Sequence, residues 1–142
     1  MGTKTQRLRV LLCKWAMDAH DRGVRTVARS LMDAGVEVIF TRFELPAEVV
    51  RTAQDEDVDV IGVSCSMGEH RYFAPEILRL MREKQMAGVP LIFGGAIPPE
   101  DSGELLRLGV AAVFGPGSSV KAVCEYVSGL TCTVMSREAR WS

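Results

Sequence analysis

The chain has 142 residues, 47% of them hydrophobic, 25% charged and 6% aromatic, a size that suits one domain able to bury roughly two-thirds of its unfolded surface. Seventeen Lys and Arg against eighteen Asp and Glu leave a formal charge of −1 with no long basic run, which argues against electrostatically driven binding to nucleic acid or an anionic membrane. No apolar stretch approaches the roughly 20 residues of a bilayer span, MGTKTQRLRVLLCKW does not read as a secretory signal, and Cys13, Cys65, Cys124 and Cys132 form no CxxC pair, so the expectation is a cytoplasmic protein with reduced thiols.

In chain order, residues 7–13 (RLRVLLC) form a short apolar run of the kind that makes a buried strand. Val24, Val27, Ala28, Leu31 and Met32 then fall at helical spacing and stop at Ala34 and Gly35. A second strand is expected at 36–41 (VEVIFT), followed by a helix that Pro46 starts, with Val49, Val50 and Ala53 inward. The third strand reads as 58–64 (VDVIGVS), and its helix as 75–85, with Ile77, Leu78 and Met81 inward. A fourth strand at 90–93 (PLIF) precedes a helix at 99–108, and a fifth at 110–114 (VAAVF) precedes a helix at 118–127. The segment 131–142 has no period and reads as a tail after a single domain, 1–130.

Strict alternation of strand and helix implies an α/β fold with parallel strands and crossover helices on both faces. The expected architecture is flavodoxin-like, a doubly wound five-stranded parallel sheet in the order 2-1-3-4-5. Ligands of such sheets sit beyond the carboxyl ends of the strands, where the winding reverses between the first and third. Glycines and hydroxyls gather at those ends: Ser64 and Ser66 after the third, Gly94 and Gly95 after the fourth, Gly115, Pro116 and Gly117 after the fifth. Glycine there lets a ligand approach the backbone, so the rim reads as a floor for something broad and flat. Asp18 and His20 lie after the first strand, a pairing in which a carboxylate can fix the tautomer of a metal-binding imidazole. Lys14, four residues earlier, could hold that carboxylate ionised. On spacing alone, a solvated loop explains the same residues.

The ordered set Lys14-x3-Asp18-x-His20-x2-Gly23, then Ser64-x-Ser66, then Gly94-Gly95 resembles the DxHxxG…SxL…GG signature of cobalamin-binding domains. It is most similar to the coenzyme-binding domain or small subunit of methylmalonyl-CoA mutase and related acyl-CoA mutases. HDRGVRTVAR, LMDAGVEVIF, EDVDVIGVS, GGAIPPED and GVAAVFGPG carry the likeness from about Arg9 to Val123. The resemblance implies adenosylcobalamin bound base-off and histidine-on, with His20 on cobalt, Asp18 as its hydrogen-bonding partner and Lys14 as the outer member of a relay. Ala19, Asp21 and Arg22 share that loop, and Gly23 would let the following helix pack over the nucleotide tail. Ser64 would hydrogen-bond the buried base, Gly94 and Gly95 would line its cleft, and Gly115, Pro116 and Gly117 would form the rim. Ser66 stands where the pattern has leucine, Ala16 and Ala19 stand where it has glycine, and Trp15 adds bulk beside the loop.

The resemblance further implies a radical isomerase, a hetero-oligomer whose separate large subunit, a barrel, holds the acyl-CoA; this chain alone would be catalytically silent. An alternative is a corrinoid carrier for methyl transfer, a class that usually has a helical cap before the cofactor domain. With about six residues ahead of its first strand, this chain is expected to have none. A module that has lost tight cofactor binding is a third reading. His70 could face the corrin or a partner, or be a plain surface histidine. Zinc on Cys13, Cys65, His20 and His70 matches no motif spacing. Trp15 and Trp141 are expected in packing or an interface, and Met17 and Met67 as loop-to-core contacts. Receiver-domain switch chemistry is missing, because Ser64-Cys65 and Phe114-Gly115 stand where its Asp and Lys belong.

Overall fold

The computed structural model describes residues 7–130; the expected tail 131–142, with Cys132 and Trp141, lies outside them. Five strands and five helices alternate: β1 (Arg9–Trp15), α1 (Arg22–Asp33), β2 (Glu37–Phe43), α2 (Pro46–Asp55), β3 (Val60–Cys65), α3 (His70–Glu83), β4 (Leu91–Gly95), α4 (Pro99–Leu108), β5 (Ala112–Phe114) and α5 (Val120–Gly129). The strands form one parallel sheet in the order β2-β1-β3-β4-β5, as the alternation predicts.

Side chains alternate across the pleat and separate two cores. Leu11, Cys13, Ile61, Val63, Leu91 and Phe93 pack against Val49, Val50 and Ala53 of α2, Phe73, Ile77 and Met81 of α3, and Leu105 of α4. On the opposite face Val10, Leu12, Val60 and Ile92 meet Val24, Ala28 and Leu31 of α1 and Val127 of α5. Met32, expected in the stripe of α1, faces outward instead.

The first four strands are displaced toward their carboxyl ends relative to expectation, and the fifth only starts later. β1 starts two residues later than its apolar run and extends through Lys14 and Trp15, where it pairs with Arg42 and Phe43 of β2. Parallel pairing, on both sides for Lys14 and with β2 for Trp15, draws these residues into the ladder despite their polarity and bulk. Consequently Lys14, Ser64, Gly94 and Phe114 lie in one row across β1, β3, β4 and β5. Helix α3 starts at His70, five residues before Pro75, which sits inside it. Proline removes one donor, but the amides of Tyr72 and Phe73 bond the Glu69 carbonyl at 3.1 and 2.9 Å and close the turn ahead of it. Phe73 anchors that turn through edge contacts with Trp15 and Phe43 at centroid separations of 5.6 and 5.0 Å. Trp15 therefore packs, as expected.

Candidate functional site

The loop after β1 turns back immediately: the Ala16 amide bonds the Phe43 carbonyl at 2.8 Å and the Asp18 amide bonds the Trp15 carbonyl at 3.0 Å. This turn drops the Asp18 side chain into the sheet end while leaving His20 outside. Their side chains are 1% and 69% exposed. Asp18 Oδ1 accepts from the His20 amide at 2.9 Å and meets His20 Nδ1 at 2.9 Å, and Oδ2 accepts from the Ser66 amide at 2.9 Å. Burial alone would raise the Asp18 pKa. Hydrogen bonds from the Glu69 carboxyl, from the amides of His20 and Ser66 and from the His20 ring outweigh it and lower the value to about 2. An ionised carboxylate on Nδ1 fixes the proton there and leaves Nε2 as the lone-pair nitrogen.

Lys14 is buried, but its ammonium bonds the main-chain carbonyl of Asp18 rather than the carboxylate. The expected side-chain relay is thus corrected: Lys14 supports the backbone of this loop, and other hydrogen bonds to the carboxylate keep Asp18 ionised. Asp21 is held by Arg25 Nε and by an Arg42 guanidinium nitrogen, each at 2.9 Å, and the Arg25 hydrogen bond chiefly lowers its pKa.

Beside His20 a cleft of about 500 Å³ opens between α1 and α5 over the carboxyl ends of β1, β3, β4 and β5. Ala19, His20, Asp21, Arg22, Gly23, Ser64, Ser66, Gly94, Gly95, Gly115, Pro116 and Gly117 all line it, and Asp18 lies below His20. The floor is the register row Leu12, Gly62 and Ile92. Gly62 was missed by sequence reasoning, although a glycine inside the third strand was its signal; a Cβ there would lie 2.7 Å from Leu12 Cδ2. Val24, Val27, Val120 and Val123 make the walls apolar, with Ser118 and Ser119 at one end. Gly23 lines the cleft, and a Cβ on it would meet no protein atom within 4 Å, so the space beside it is open to a ligand.

Two further expectations change. His70 is 1% exposed and bonds Asp101 Oδ2 through Nε2 at 2.8 Å, joining the first turns of α3 and α4; it is neither a surface group nor a rim ligand. Met17 and Met67 are 67% and 56% exposed and do not plug the core. Cys13 and Cys65 are buried, and desolvation pushes both thiols far above the usual range. Among the described residues no three His, Cys, Asp or Glu side chains gather for a metal. A metal on His20 would therefore bring its other ligands with it, as a macrocycle does, and the adjoining cleft gives such a group's appendage a place to enter.

The B12 binding domain model matches residues 8–124. The chain belongs to the B12-binding domain family. It is 41% identical over 94% of its length to the 2-hydroxyisobutanoyl-CoA mutase small subunit of Aquincola tertiaricarbonis, covering 96% of that protein. It is 40% identical over 89% of its length to the pivalyl-CoA mutase small subunit of Xanthobacter autotrophicus, covering 85% of it. The methylmalonyl-CoA mutase of Cereibacter sphaeroides is 35% identical over 95% of the chain, which spans 18% of that larger protein. Among solved structures, a cobalamin-binding protein from Desulfitobacterium hafniense superposes with a TM-score of 0.69 at 18% identity, over 86% of this chain and 60% of that one. A Francisella response-regulator receiver domain gives 0.69 at 17%, over 89% and 98%. At those identities the likeness is one of fold alone, and this B12-binding domain shares its scaffold with receivers while carrying Ser64-Cys65 and Phe114-Gly115 where their Asp and Lys belong. No helix among its described residues is long and apolar enough to cross a membrane.

Proposed function

We propose that this chain is the cobalamin-carrying small subunit of an adenosylcobalamin-dependent acyl-CoA mutase, working with a separate large subunit that holds the acyl-CoA. The supporting observation is an imidazole standing at the mouth of an apolar cleft with Nδ1 fixed on an ionised Asp18. The end-to-end similarity to two mutase small subunits supplies the reaction class. His20 would ligate cobalt through Nε2, and Asp18 would strengthen that donor. Ser64, Gly94 and Gly95 would receive the dimethylbenzimidazole tail displaced from the metal, with Gly115, Gly117 and Ser66 bordering the same cleft. When bound, the cofactor supplies a cobalt–carbon bond whose homolysis starts the carbon-skeleton rearrangement; the protein binds, orients and ligates. His20 and the exposed Met17 and Met67 stand on one rim, and this is the face offered to the large subunit.

Purified chain mixed with cobalamin in its cobalt(II) state should show nitrogen splitting from a protein imidazole by electron paramagnetic resonance. His20→Ala should abolish that splitting or the uptake itself. Splitting that survives the substitution would overturn the assignment of His20, and no uptake at saturating cofactor would overturn the reading as a whole.

A further inference from the structure

The cleft beside His20 is nearly without charge. Of its lining residues only His20, Asp21 and Arg22 can carry one. The His20 ring meets Asp18 through Nδ1, and Asp21 Oδ2 receives Arg25 Nε and an Arg42 guanidinium nitrogen, each at 2.9 Å. Those two arginines have a second engagement, their guanidinium carbons lying 5.5 and 5.7 Å from the centroid of the Phe40 ring. Arg22 differs. Its carbonyl accepts from the Thr26 hydroxyl at 2.9 Å, but its guanidinium has no hydrogen bond or ion pair among the described residues.

Nothing in the fold asks for a cation at this position. Arg22 is the first residue of α1, it is exposed, and no acidic residue stands in that helix's first turn. A positive charge there opposes the helix macrodipole and is mildly unfavourable. The other polar side chains of the cleft are neutral hydroxyls, and Ser119 Oγ already caps the Ala122 amide at 3.0 Å. An anion entering between the walls of Val24, Val27, Val120 and Val123 would lose hydration. It would find a single unpaired opposite charge, the planar fork of Arg22, whose donors match the oxygens of a phosphate.

We infer that Arg22 binds the phosphodiester of the cofactor's nucleotide arm, and so makes the chain prefer a corrinoid that carries this arm over one that lacks it. The inference rests on the proposed entry of the arm into this cleft. The arm has two chemically unlike parts, an apolar base and an anionic linker. The valine walls suit the first, and Arg22 is the lining residue that suits the second. Because Arg22 follows His20 by two residues, metal ligation and recognition of the arm are set by one turn of chain.

The test titrates the full chain, Arg22→Ala and Arg22→Lys with adenosylcobalamin and with adenosylcobinamide, which lacks the nucleotide and its phosphodiester. Arg22→Ala should bind adenosylcobalamin about 5- to 20-fold more weakly, the range for a charge-assisted contact partly open to solvent. Its affinity for adenosylcobinamide should stay within about twofold of the parent, since the contact is absent from both. Arg22→Lys keeps the charge without the fork and should fall between the two. Added salt should weaken adenosylcobalamin binding more in the parent than in Arg22→Ala. The cofactor-free melt of Arg22→Ala should equal or exceed the parent's, because a cation leaves the positive end of a helix. Equal losses for both corrinoids, no loss for either, or a melt that falls with the affinity overturns the inference. Where the parent's hold on adenosylcobinamide is too weak to read, equal salt responses of parent and variant overturn it. A parent that takes up no adenosylcobalamin at saturation overturns the proposed function, and this inference with it. Uptake with imidazole splitting in the parent, matched in affinity by Arg22→Ala, overturns the role of Arg22 alone.

Discussion

The two faces of the sheet are built from the same strands yet do opposite things. Against α2, α3 and α4, Phe73, Ile77, Met81, Leu91 and Phe93 fill the layer completely. Against α1 and α5, Gly62 occupies the central floor position, and the valines around it stop short of one another, leaving about 500 Å³. Interiors ordinarily close such space, because lost contacts and cavities are destabilising. One face therefore carries the fold, and the other gives up packing so that a ligand can complete it; binding there should stabilise the native state by mass action.

The seam between β3 and β4 is the sharpest place to break this arrangement. Gly95 has φ +119°, and a Cβ on it would lie 2.1 Å from the Cys65 carbonyl oxygen. That contact is with backbone, so no side chain can swing aside. Gly95→Ala should lose about 3 kcal/mol or more, from left-handed strain plus overpacking. Urea denaturation checks it, and a midpoint equal to the parent's would mean that the strand end is far looser than drawn.

Truncating one aliphatic side chain on each face should cost unequal amounts, by more than the extra methylene that isoleucine loses accounts for. Ile77 is fully buried on the closed face, and Ile77→Ala should destabilise by about 2–5 kcal/mol. Val27 borders the cleft, so Val27→Ala enlarges a space already open and should cost below about 1 kcal/mol. Saturating adenosylcobalamin should narrow that gap, since the ligand then packs on Val27. Equal costs without cofactor would erase the distinction between the faces.

Gly23 lets the contrast be sharpened with opposite signs. It lies in the first turn of α1, and a Cβ there would project toward no protein atom. Gly23→Ala should stabilise the cofactor-free chain by about 0.5–1 kcal/mol, through the entropy that glycine loses in a helix. The same methyl enters the cleft and should weaken adenosylcobalamin binding. Thermal melts with and without cofactor should therefore move in opposite directions, and a parallel shift would show that the cleft does not hold the ligand.

Much of this is legible in the sequence itself. Short Val- and Leu-rich runs separated by helical stripes dictate a doubly wound sheet, and the residues placed at strand ends do converge on one cleft. What escaped was whatever depends on a partner distant in sequence. Lys14 and Trp15 look like loop because their polarity and bulk say so, and only pairing with Arg42 and Phe43 makes them strand. The partner of His70 is Asp101, 31 residues away, and no local pattern announces a buried histidine with a carboxylate on another helix.

Ser66 marks the smallest expected effect and the finest division between backbone and side chain. Its amide holds Asp18 Oδ2 at 2.9 Å while its side chain borders the cleft. Any residue supplies that amide, so Ser66→Leu should leave the stability of the cofactor-free chain within about 0.5 kcal/mol of the parent. The added apolar surface can be covered only by a bound ligand, at roughly 25 cal/mol per Å². Titration with adenosylcobalamin should therefore show affinity retained or raised a few-fold. Abolished binding with an unchanged melt would mean that the hydroxyl itself contacts the ligand, and that serine here is a recognition group rather than a vacancy left by leucine.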